Sequence, residues 1–191
     1  MKLTKFYLLT LLVIIVDQAS KMWVYHNMYQ GEDINVIGDW FKLHYTLNPG
    51  MAFGWKMDFE YGKLILTTFR IIAVGAIGYY IYYLYKKGVH DGLLYAIALI
   101  LGGALGNVID STFYGVFLEG NVMYGALFPL FHGQVIDMLY FPMINTTFPE
   151  WVPYWGGDSF QFFRPVFNIA DSCIFVGVVL IFINKKRFFN D

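Results

Sequence analysis

The chain has 191 residues, of which 58% are hydrophobic, 20% aromatic and only 14% charged, with a formal net charge of -1. Soluble domains of this size carry about a quarter charged residues, and one small core has no room for so much apolar surface, so a disordered tail and an ordinary water-soluble domain are both excluded. The near-zero charge leaves no basic field for nucleic acid, and the single cysteine, Cys173, excludes an internal disulfide framework or a cysteine-based metal site.

Windows of about 19 residues predict four membrane-spanning helices, because a bilayer core takes about 20 helical residues. They cover residues 6–25, 64–85, 93–114 and 166–183 of a single membrane domain, 1–191. The first resembles a secretory signal in having Lys2 and Lys5 before its apolar run. No small-x-small site follows, and Asp17, Gln18 and Lys21 continue the helical pattern, so no cleavage is expected. Lys and Arg mark cytoplasmic span ends. Lys2 and Lys5, Lys86 and Lys87, and Lys185 to Arg187 share one side if both termini are cytoplasmic, whereas Glu32, Asp33, Asp39, Asp58, Glu60, Glu119, Glu150 and Asp158 fall in the two opposite loops.

Those outer loops, 27–63 and 115–165, are long, which places function on the outer face. In the first, residues 34–47 are β-branched and aromatic with partial alternation, predicting strands near the interface. The second holds Pro142, Pro149, Pro153 and Pro165, with Trp151, Tyr154 and Trp155 among them, and cannot be helical throughout; its aromatics suit the headgroup layer. The expected architecture is an all-α membrane protein with four transmembrane helices, a small β-rich cradle and an aromatic, proline-rich loop.

A charge at mid-membrane costs roughly 2.5 to 3.5 kcal/mol on insertion scales, so the intramembrane polar residues carry the information. Asp17 and Lys21 are four apart and can pair, either as a structural ion pair or facing a substrate. Arg70, about two turns into the second span, reads as an anchor for bundle packing. Gly102, Gly103 and Gly106 permit close helix approach. Asn107 and Asp110 share a face, as do Asn168 and Asp171.

The chemistry falls on Asp137, inside the apolar run 135–139, and Asp171. Two carboxyls in a low-dielectric site do not both ionise easily, so one keeps a proton; one activates water as the base and the other donates to a carbonyl oxygen, with the pair titrating as a unit. Proton relays in transporters use the same residue types, so an acid-relay cation or proton transporter remains the alternative, with a non-catalytic scaffold as a third reading. No serine or cysteine has a histidine partner, and His26, His44, His90 and His132 lack metal-ligand spacing; His132 reads as satisfied by backbone. No metal or other cofactor is expected.

Five motifs in order then resemble the lipoprotein signal peptidases, or signal peptidase II. They are Asp17-Gln18-Ala19-Ser20-Lys21, Asn48-Pro49-Gly50-Met51-Ala52-Phe53-Gly54, the run from Gly102 to Asp110, Val135-Ile136-Asp137, and Phe167-Asn168-Ile169-Ala170-Asp171-Ser172. The resemblance implies an aspartic endopeptidase of the bacterial cytoplasmic membrane, expected to be a monomer, that removes signal peptides by cutting before a diacylglyceryl-modified cysteine. It puts the catalytic aspartates at Asp137 and Asp171, and substrate-site or supporting roles at Asn48, Gly50, Asn107, Asp110 and Asn168, with Asp17 and Lys21 structural. Its partners would be lipidated prolipoproteins and membrane lipid. Two departures stand out. Ser111 follows Asp110 where the family has arginine, which points to compensation by Arg70 or Arg164, and the stretch between the two acids carries an insertion, 143–161, expected to form a lid or membrane-surface flap over the site, with a plain surface excursion as the other reading.

Overall fold

The computed structural model describes residues 2–50 and 61–189. Four residues of the second motif, Met51 to Gly54, and the acids Asp58 and Glu60 lie outside the described residues. In lipid a backbone must satisfy its own hydrogen bonds, and the apolar runs accordingly form helices. These are α1 (Thr4–Asn27), α2 (Gly62–Lys86), α3 (Asp91–Phe117) and α4 (Ile169–Ile183), followed by a short α5 (Lys185–Phe189). The first three are long and apolar enough to cross a membrane.

The expected fourth span is shorter than predicted. Val166 and Phe167 pair with a strand instead of entering the helix, and α4 has 15 residues, about 22 Å at helical rise against a hydrocarbon core of about 30 Å. Asn168 sets this boundary: its backbone is extended and its side-chain oxygen accepts from the Asp171 amide, an N-cap that starts the helix there.

The two long connecting segments form more sheet than a cradle from the first loop alone. Strands β1 (Asp33–Ile37), β2 (Phe41–Asn48), β3 (Val135–Tyr140) and β6 (Val166–Phe167) make one antiparallel sheet in the order β1-β2-β3-β6, and β4 (Ile144–Thr147) and β5 (Ser159–Phe162) make a separate hairpin. Asp137 therefore sits on a strand. The first four residues of β3 are all buried, which is why its sequence is a continuous apolar run broken by one acid.

Two apolar cores lie at opposite ends. One gathers Phe6, Ile81, Leu84, Leu94 and Leu101 from α1, α2 and α3; the other joins Val24 of α1 and Met28, which follows that helix, to Tyr45, Tyr114, Ile136 and Met138. Between them, α1 and α3 contribute Asp17, Lys21, Asn107 and Asp110, so a polar layer is sandwiched by apolar ones. Helices α3 and α4 touch through backbone. A Cβ on Gly103 would lie 2.2 Å from the Ala170 carbonyl oxygen, and one on Gly106 would lie 2.5 Å from Asp17 Oδ2. Only glycine permits that approach.

Candidate active site

The polar layer is organised by one cation. Fully buried Lys21 Nζ forms ion pairs with Asp17 Oδ2 at 2.8 Å and Asp110 Oδ2 at 2.7 Å, and donates a hydrogen bond to Asn107 Oδ1 at 3.1 Å. Asp17 also accepts the Ala170 amide at 2.9 Å, tying α1 to the first turn of α4. Gln18 donates to Asp110 Oδ1 at 2.8 Å and accepts from the Tyr114 hydroxyl at 2.9 Å. Asp110 and Tyr114 bound a π-helical turn in α3, the kind of irregularity that re-aims side chains near functional sites.

From this layer three asparagines reach the candidate acids, and each is oriented by a donor on its oxygen. Lys21 holds Asn107 Oδ1, leaving Asn107 Nδ2 to donate to Asp171 Oδ1 at 2.8 Å. The Asp171 amide holds Asn168 Oδ1, leaving Asn168 Nδ2 to donate to Asp137 Oδ1 at 2.7 Å and to Asn107 Oδ1 at 3.2 Å. The Gly50 amide holds Asn48 Oδ1, leaving Asn48 Nδ2 to donate to Asp137 Oδ2 at 3.0 Å. A backbone N–H or an ammonium can only donate, so none of these amides can be reversed without losing a bond.

Asp137 is 2% exposed and Asp171 is half-buried; both line a cavity of about 770 Å³. Burial, then the nearby Asp171 carboxylate, pushes the Asp137 carboxyl up to about 7, against the hydrogen bonds from Asn48 and Asn168 and the charge of Lys21. A carboxyl that exchanges its proton near neutrality, beside a second acid, can both take a proton from water and return one to a reacting group. Asn48, Gly50, Arg70 and Asn107 also line the cavity, while Ile174, Phe175 and Val178 of α4 form an apolar wall that runs onto its exposed face.

Arg70 does more than anchor the bundle. Its guanidinium donates to the Gly50 carbonyl at 3.2 Å and to Ser111 Oγ at 3.4 Å, so it fixes the turn that carries Asn48. Buried Lys63 donates to the same Ser111 hydroxyl at 3.3 Å. Ser111 thus receives hydrogen bonds from two basic side chains of α2. Arg164, the other candidate for compensation, is exposed at the cavity rim. Lys63 was not singled out by sequence, although its seven-residue spacing from Arg70 puts both on one helical face. His132 is buried with Nδ1 3.0 Å from the Leu130 carbonyl, and Nε2 has no hydrogen-bond partner among the described residues.

The family model described as signal peptidase (SPase) II matches residues 9–186. The chain belongs to the signal peptidase II family. A lipoprotein signal peptidase of Amoebophilus asiaticus is 49% identical over 188 residues, covering 97% of this chain and 79% of that protein. One from Porphyromonas gingivalis is 44% identical over 188 residues, with 94% and 81% covered. A solved bacterial membrane enzyme is similar over 98% of this chain and 94% of its own, with 26% identity and a TM-score of 0.64. As a member of the signal peptidase II family, the chain is a membrane aspartic peptidase that removes signal peptides from prolipoproteins, and the transporter reading receives no support.

Proposed function

We propose that Asp137 and Asp171 are the catalytic dyad of this signal peptidase II, and that they hydrolyse the peptide bond before a diacylglyceryl-modified cysteine. The observation that carries the reading is their convergence. A strand acid and a helix acid face one cavity, each gripped by an asparagine whose orientation is fixed from behind. With one proton shared by the pair, the charged carboxyl takes a proton from water as its oxygen attacks the scissile carbonyl carbon. The neutral acid protonates the carbonyl oxygen, and collapse of the tetrahedral adduct returns a proton to the leaving nitrogen.

The remaining residues support that pair. Asn48, Asn107 and Asn168 orient it, Gly50 and Arg70 hold the Asn48 turn, and Asp17, Lys21 and Asp110 form the buried frame behind. The apolar α4 wall suits acyl chains, which resist leaving lipid at about 0.8 kcal/mol per CH₂, so the substrate enters sideways from the bilayer. We place both termini in the cytoplasm and the site near the outer face, in agreement with the lysine and arginine clusters. In this reading the chain is one domain and acts as a monomer in contact with lipid, and α4 with its flanking residues completes a fourth crossing.

The deciding experiment incubates protein in lipid vesicles with a diacylglyceryl-modified precursor and follows signal-peptide release. Wild type should release it, and Asp137→Asn and Asp171→Asn should each lose on the order of 10³-fold or more in rate while folding normally. Normal turnover by either folded variant would overturn the assignment.

A further inference from the structure

The β4–β5 hairpin is structurally self-contained. Among the described residues its strands pair only with each other, from Ile144 opposite Phe162 to Thr147 opposite Ser159, and join neither β3 nor β6. Its tip closes on its own backbone, with Phe148 donating to the Asp158 carbonyl and Gly157 to the Phe148 carbonyl at 2.9 and 3.0 Å. Phe148 packs inward, its ring centroid 5.1 Å from that of Phe160. The other large aromatics turn out: Trp151 is 81% exposed, Tyr154 97% and Trp155 60%. Among the described residues, none of the hairpin lines the catalytic cavity, so in this conformation it is not a lid.

Three residues separate the hairpin from β3 at one end and from β6 at the other, and α4 begins just beyond β6. The hairpin is thus planted at the outer end of an apolar helix. The aromatic surface continues at its base, where Phe141 stacks between Phe41 and Phe167, with half-exposed Trp40 beside them. From 143 to 163 the charged residues are Glu150 and Asp158, with no lysine or arginine. Exposed tryptophan and tyrosine without basic residues match the headgroup layer, where an apolar ring and a polar edge are both satisfied, and do not match an anionic surface. An isolated two-stranded hairpin is marginal in water, so that layer also supplies the support its own pairing lacks.

We propose that the β4–β5 hairpin is an interfacial anchor, seating Trp151, Tyr154 and Trp155 among lipid headgroups and thereby holding the Arg164–Val166 lip of the catalytic cavity at the membrane surface. The proposal needs the chain to be in a membrane but does not depend on which residues are catalytic.

The test uses the full chain with Cys173→Ala and Pro153→Cys, labelled with an environment-sensitive fluorophore and reconstituted in phosphatidylcholine vesicles. A nitroxide at the lipid headgroup should quench the label more than one in mid-chain, and aqueous iodide should quench it about threefold less than free dye. Adding salt should change nothing, and Trp151→Ser with Trp155→Ser should restore iodide access. Iodide quenching equal to that of free dye would overturn the proposal. So would protection that disappears when protein is diluted in lipid, the mark of a second copy, or protection that appears only with precursor, the mark of substrate docking.

Discussion

Asp137 carries opposing demands, since the apolar surroundings that tune its proton also penalise its charge. Its folded carboxyl titrates near 7 instead of 3.8, so the folded state binds more protons than the unfolded one between those values. The resulting contribution to stability is fully present below about pH 4 and is lost as pH rises through about 7, a span on the order of 4 kcal/mol at most. Asp137→Asn should therefore flatten the dependence of Tm on pH between 4 and 8 and raise Tm at the alkaline end, as read by thermal denaturation in detergent. Asn48→Ala removes a bond that favours the charged acid, so the neutral limb of the pH profile of kcat/KM should move upward. Sequence made Asp137 and Asp171 visible because charge is conspicuous in an apolar run. It could not show which amide holds which acid, because Asn48, Asn107 and Asn168 meet only across long-range contacts.

Among the elements, α1 and α3 owe their contact to residues that look unsuited to a membrane. Lys21→Met should cost about 3–5 kcal/mol by denaturant unfolding in detergent, because Asp17 and Asp110 would remain buried without their cation. Gly103→Val should cost stability and turnover together, since the added carbons would force the first turn of α4, with Asp171, away from α3; parallel unfolding and cleavage measurements check this. The helices were legible because apolar length is enough to define them. The start of α4 was not, since Val166 and Phe167 are as apolar as the helix that follows and only pairing with β3 removes them from it. Lys63 was hidden for a related reason: an end-of-span lysine reads as solvated until the neighbouring elements cover it.

For the molecule as a whole, the two apolar cores and the intervening polar layer give the bundle a direction that labelling can read. In a Cys173→Ala background, Asp39→Cys should react with a membrane-impermeant maleimide on intact spheroplasts, whereas Lys87→Cys should react only after permeabilisation. The opposite pattern would reverse the assigned topology. Asn168 adds a temporal consequence to this architecture. It begins the last long helix, grips the strand acid and stands three residues before the helix acid. During synthesis from the amino terminus, the chain cannot hold both acids until almost all of it has been made. If the proposed dyad is the catalytic one, a nascent or truncated molecule that lacks Asp171 is proteolytically silent while it is being inserted.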